Sequence, residues 1–203
     1  MGKILYFQWN SFMNDGIERA LQKMNIIYDT FCYQFADWEK DDAFCEQFEA
    51  KIKTGAYRAV FSINYAPLIS TVCARHDVRY ISWVYDCPIH IRNLATLKNS
   101  CNTIYFFDRV QAEEYRSRGI DARHMPLAVD TELYRRIYET RSERAEREKY
   151  ETDIALVGKL YRTEYQHYLQ PLSAYQRGRL EGIIADDLAS GGIDKKRTGL
   201  YQI

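Results

Sequence analysis

The sequence predicts an α/β domain built on a doubly wound parallel sheet, and three observations predict it. Short, nearly unbroken apolar runs recur at 3–7, 27–35, 58–63, 78–85 and 102–107. Runs of that kind suit strands covered on both faces. Between them lie segments whose apolar residues repeat with helical spacing, so strand and helix alternate as in βαβ units. The third observation is local: residues suited to starting and stopping helices stand where the alternation needs them.

Taken in order, Ile17, Ala20, Leu21 and Met24 form the first helical stripe, with Asn14 or Asp15 as the expected cap. Phe44, Phe48 and Ile52 repeat every four residues behind Asp41 or Asp42, and Gly55 should end that helix. Leu68, Ile69, Val72 and Cys73 form a third stripe after Pro67, a residue suited to a first helical position. Asp108 and Gln111, three apart, resemble a capping box whose helix should stop at Gly119. Residues 121–130 are expected to add a short last strand, which completes a first domain over 1–132. An Arg- and Glu-rich stretch over 133–150 reads as a solvated linker helix. Ile154, Ala155, Leu156 and Val157 then open a fresh strand, and 151–189 is expected to begin a second α/β domain. Residues 190–203 read as a loose tail.

Composition excludes several classes of function. Basic and acidic residues number 28 each, and no basic stripe interleaved with aromatics occurs, which argues against a nucleic-acid partner. No run approaches the ~18 apolar residues of a membrane span. Five scattered cysteines, never spaced as Cys-x-x-Cys, predict free thiols in a reducing compartment and hence a cytoplasmic protein. Four histidines without ligand spacing predict no metal site. Glycine-rich dinucleotide and phosphate loops and the nucleophile elbow are all missing. Trp9, Asn10 and Ser11 stand where a receiver domain would need carboxylates, which disfavours that fold as well.

Ligands of open parallel sheets sit beyond the carboxyl ends of the strands, so polar and aromatic residues there are the candidates. After the first strand these are Trp9 and Asn10, with Gly16 at the following helix. After the third they are Asn64 and Tyr65, and after the fifth Asp108 and Arg109. Helix capping and turn chemistry is the favoured account of those after the first and fifth strands, and turn chemistry alone could also explain Asn64 ahead of Pro67. The fourth strand runs through Trp83 into Asp86, Cys87, Pro88 and His90. Asp86 or His90 would serve there as a base toward a hydroxyl, or His90 as a donor to a leaving oxygen. Capping by Asp86 and a surface role for His90 remain open alternatives.

Four stretches taken together carry a resemblance: Ser82 to Pro88, Phe106 to Arg109, His124 to Asp130, and Val157 to Leu160. They resemble the N-terminal region of CgeB-like, GT-B-type glycosyltransferases, a region often described in bacteria only as a domain of unknown function. The similarity covers most of residues 1–185. It implies two facing Rossmann-like domains, the first receiving a glycan or protein acceptor and the second holding a nucleotide-sugar co-substrate, with no metal or other cofactor. It places Asp86 and His90 on the acceptor side, lets Gly16 bring the first loop near phosphates, and sets Gly158 and Lys159 near the donor diphosphate. The groups that grip the nucleotide ribose would lie beyond Ile203. A missing C-terminal half is therefore expected, and the chain is expected to be catalytically silent by itself. A non-catalytic α/β module that binds a small ligand or a protein partner is the alternative.

Overall fold

In the computed structural model the described residues are 2–89, 91–140, 151–155 and 168–189. The chain divides into two compact units, Met1–Ser142 and Glu143–Ile203. The first contains a six-stranded sheet, every strand parallel to its neighbours, in the order β2-β1-β3-β4-β5-β6. The strands are β1 (Ile4–Gln8), β2 (Tyr28–Cys32), β3 (Ala59–Ile63), β4 (Arg79–Val84), β5 (Asn102–Phe106) and β6 (Ala122–His124). The helices between them are α1 (Asn14–Lys23), α2 (Asp42–Gly55), α3 (Pro67–Arg75) and α4 (Arg109–Ser117), with a short 3₁₀ helix at Leu94–Lys98; α5 (Thr131–Thr140) follows β6. The fold is Rossmann-like, as the alternating pattern predicts.

Alternation along β1 shows how the layers form. Leu5 and Phe7 point to the face covered by α2, α3 and α4, where Phe44, Phe48, Ile52, Ile69, Val72 and Ala112 complete the larger core. Ile4 and Tyr6 point to the opposite face, where Ile17 and Leu21 of α1 cover them. Rings dominate the larger core. Phe44 lies 4.6 Å from Phe35 (tilted), 5.0 Å from Phe48 (stacked) and 5.8 Å from Phe7 (edge-on), centroid to centroid.

Several buried polar groups in this core bond to one another, while the Ser82 hydroxyl and the Gln111 side-chain oxygen are buried without a partner among the described residues. The buried Tyr80 hydroxyl accepts the Ala66 N–H at 2.9 Å at the start of α3 and lies 2.7 Å from the Ser62 hydroxyl. Burial pushes the Tyr80 phenol far above its ordinary range. Ser70 of α3 donates to Asn102 of β5 at 2.8 Å, and Asn102 in turn donates to the Thr96 carbonyl at 2.8 Å. Helix, strand and 3₁₀ turn are thereby fixed in one register.

Apart from the α4 capping box, left half formed because the buried Gln111 side-chain oxygen has no partner among the described residues, helix ends follow the expected chemistry with one exception. Asp41 caps α2 through the Phe44 N–H, Pro67 opens α3, and Asp108 caps α4 through the Gln111 N–H at 2.7 Å. A side chain on Gly55 would collide with the Tyr57 ring, so that close approach demands glycine, and Gly119 takes φ 79° beyond the end of α4. The exception is α1, which Met13 caps without a side-chain bond. The Asn14 amide, expected there, is engaged instead by the Tyr6 hydroxyl and the Trp9 carbonyl.

The linker region also departs from expectation in part. Helix α5 begins at Thr131 with Asp130 as its cap, inside the expected boundary of the first domain. Of the strand expected from Ile154, the described residues Ile154 and Ala155 are not in strand conformation, and Ile154 is 90% exposed. Leu156 and Val157 lie outside the described residues. In the second unit, Ser173 and Gln176 form a reciprocal cap on α6 (Ala174–Ala189). Among the described residues no helix is long and apolar enough to cross a membrane.

Two outcomes follow for stability. Phe44→Ala should lower the unfolding free energy by about 3–5 kcal/mol, read from urea denaturation, because it empties the centre of the ring cluster. Hydrogen bonds from Lys3 and Tyr57 hold Asp29 below the ordinary carboxylate range, and Lys53 and His76 do the same for Glu49. In the range where these groups titrate, the unfolded chain therefore binds more protons than the folded one. Their contribution is complete above the unfolded pKa of about 4 and is lost as pH falls through the lower folded value. Asp29→Asn should flatten that acid limb in urea midpoints measured from pH 6 down to pH 3.

Candidate active site at the strand-order reversal

The order β2-β1-β3 places the reversal of winding between β1 and β3, and a crevice forms where such strands diverge at their carboxyl ends. Three side chains organise that rim. Trp9, just past β1, donates its indole N–H to the Ile63 carbonyl at 2.8 Å, bridging the ends of β1 and β3. Its ring meets Trp38 edge-on at 5.3 Å.

Asn64 ties the ends of β3 and β4. Its backbone N–H donates to the Trp83 carbonyl at 2.9 Å, its side-chain oxygen accepts the Tyr85 N–H at 3.0 Å, and its side-chain N–H donates to the Asp86 carboxylate at 2.7 Å. Asn64 adopts φ 59°, a left-handed conformation that asparagine tolerates better than most residues. That turn presents the amide to β4. Asp86 is exposed, with one oxygen held by Asn64, and the chain leaves through a cis Cys87–Pro88 bond.

Aromatic residues flank this carboxylate. The Tyr85 hydroxyl is paired with Ser11, and burial raises its pKa above the ordinary phenol range. Phe12 packs 5.7 Å from Tyr85 while remaining 85% exposed. The rim thus combines a positioned carboxylate, two hydroxyls and accessible ring faces. A carboxylate so placed can accept a proton from a bound hydroxyl, and the rings can lie against apolar faces of a polar ligand.

Trp9, Asn64 and Asp86 meet at this rim. Asn10 is exposed beside Trp9. Tyr65 is a correction: it is 3% exposed, tilted against Tyr80 at 5.6 Å, with its hydroxyl accepting an Asn102 N–H. The turn at Asn64 directs the next side chain into the core. Trp83 is also nearly buried, and its indole N–H donates to the Met125 carbonyl at 3.2 Å. Asp108 acts as the cap of α4, and Arg109 is exposed at that helix's first residue. Gly16 lies within α1, where an added Cβ would meet open space, so packing does not require glycine there. His90, Gly158 and Lys159 lie outside the described residues.

A second feature adjoins the rim. A groove of ≈ 840 Å³ runs between α1 and the segment around α5, with Gly16, Ile17 and Ala20 on one wall, Val129 and Leu133 on the other, and Trp83 and Phe12 between. Two ion pairs cross between the walls, Arg19–Asp130 at 2.7 Å and Lys23–Glu132 at 3.5 Å. The Leu133 N–H and the Arg19 guanidinium hold Asp130 below the usual carboxylate range. Sequence reasoning missed Phe12 and Val129. The available signal for Phe12 was a large ring in the otherwise polar stretch from Asn10 to Asp15.

Among the described residues no group of three or more His, Cys, Asp or Glu side chains is placed to hold a metal ion. Asn64→Ala removes the bonds to Tyr85 and Asp86 and leaves a β-carbon in the left-handed region. It should lower stability by about 2 kcal/mol in urea denaturation, and Asn64→Asp should recover less than half of the loss because it cannot donate to Asp86. Comparison of the chain with protein-family models, curated proteins and solved structures found no match for any of them.

Proposed function

We propose that the first unit is the acceptor-side domain of a GT-B-type glycosyltransferase that uses a nucleotide-sugar as donor. The observation that supports this most is the Asn64–Asp86 pair, which joins the carboxyl ends of β3 and β4 beside the strand-order reversal, an exposed carboxylate oriented by a neighbouring amide. An acceptor hydroxyl bound there would meet a base with one oxygen free to take its proton, and attack on a sugar donor requires that proton to leave. Tyr85 and Phe12 supply ring faces of the kind that lie against the C–H faces of a sugar. The sheet topology is compatible with this reading, since ligands of such sheets bind at this edge.

In the same reading, the donor diphosphate belongs to the region of Gly158 and Lys159, and Asp86 acts on the acceptor alone. The two substrates are then separable in solution. The acceptor rim is built entirely from residues of the first unit, so saccharide binding should not need the donor.

Titration calorimetry with a panel of neutral oligosaccharides and a panel of nucleotide-sugars tests this. At least one saccharide should bind, and Asp86→Asn should weaken it about tenfold or more by removing a charged hydrogen-bond acceptor. Saccharide binding that ignores Asp86→Asn, or no saccharide binding at all, would overturn the proposal and favour a module for a different ligand.

A further inference from the structure

We infer that the groove between α1 and the α5 segment binds an uncharged small molecule with an apolar body, the non-sugar portion of the acceptor. Its identification with the acceptor rests on the function proposed above; the binding itself does not. Size argues for a small molecule. The ≈ 840 Å³ volume falls within the range of about 300–1,000 Å³ found for small-molecule pockets. A protein partner would instead need about 1,200 Å² or more of buried surface.

Lining chemistry argues for an apolar body. Ile17, Ala20, Trp83, Val129 and Leu133 supply aliphatic and aromatic surface, and Val129 is 62% exposed although it lies against a groove wall. Charge argues for an uncharged one. The groove's cations are Arg19, Lys23 and Arg136, and its anions are Asp130 and Glu132. Arg19 is already paired to Asp130 and Lys23 to Glu132, while Arg136 adds its field at Asp130. An anionic ligand would compete with these carboxylates for the same cations, and a cationic one with the guanidinium and ammonium for the same carboxylates. A neutral occupant leaves both cross-groove pairs intact.

Position connects this groove to the rim. Phe12 lines the groove and packs against Tyr85, the residue next to Asp86. A molecule with its apolar body between α1 and α5 would therefore carry a hydroxyl past Phe12 toward the Asp86 carboxylate.

The test uses the full chain and N-phenyl-1-naphthylamine, an uncharged probe that brightens in apolar surroundings. Saturable one-to-one binding is expected, and 1-decanol should displace the probe at lower concentration than decyl phosphate or decyltrimethylammonium. Ala20→Trp and Val129→Trp fill the groove from opposite walls and should each weaken the probe about tenfold or more, with far-UV circular dichroism confirming that each variant is folded. If one variant fails to fold, the other carries the measurement. Non-saturable binding, binding unchanged in a folded tryptophan variant, or stronger displacement by either charged amphiphile would overturn the inference. Asp86→Asn should leave probe binding unchanged, so failure at the rim and failure in the groove are read separately.

Discussion

Parallel strands that part company at their carboxyl ends leave backbone amides facing solvent, and the geometry of this rim depends on how those amides are held. Asn64 performs most of that work. Its left-handed backbone costs about 1–2 kcal/mol relative to a right-handed residue, and bonds to Trp83, Tyr85 and Asp86 offset the cost. Trp9 holds the other side of the reversal through the Ile63 carbonyl. With both in place, β1, β3 and β4 end at fixed relative heights, and Asp86 receives a defined orientation although it is exposed. Without Asn64, the same carboxylate would sit on an unsupported loop.

The supports beneath the rim are arranged in depth. Tyr80 satisfies the start of α3 from inside the core, and Ser70 and Asn102 tie α3 to β5. These buried polar groups are each partnered, so they fix register without leaving a desolvated donor. The aromatic cluster around Phe44 supplies bulk stability on the same face of the sheet. The opposite face has the thinner cover, chiefly α1, and it is there that the groove against the α5 segment lies.

Much of this was legible in the sequence because it depends on near neighbours. The apolar runs located the first five strands to within a few residues, and Asp41, Pro67, Asp108 and Gly119 marked helix ends through chemistry acting over three or four positions. Asp86 was legible as a polar residue behind a very apolar strand. The groove was not, because its cross-wall pair joins Arg19 to Asp130, 111 residues away. Tyr65 was misplaced for a related reason: adjacency to Asn64 suggested the rim, but one left-handed residue reverses where the next side chain goes. Asn14 reads as a cap until Tyr6 and Trp9 are folded against it, and a helical cap then gives way to a tertiary bond.

The far margin of the sheet carries a separate consequence. Strand β6 is three residues long, bears Arg123 and His124 in succession, and is followed by Pro126, which offers no amide hydrogen. Arg123 is held over the Tyr105 ring and beside Asp121. A foreign strand approaching that margin would find few backbone partners and a charged pair held in place, conditions under which intermolecular β-pairing gains little. The protein thus carries its own defence against self-templated aggregation at the end of the sheet farthest from β2.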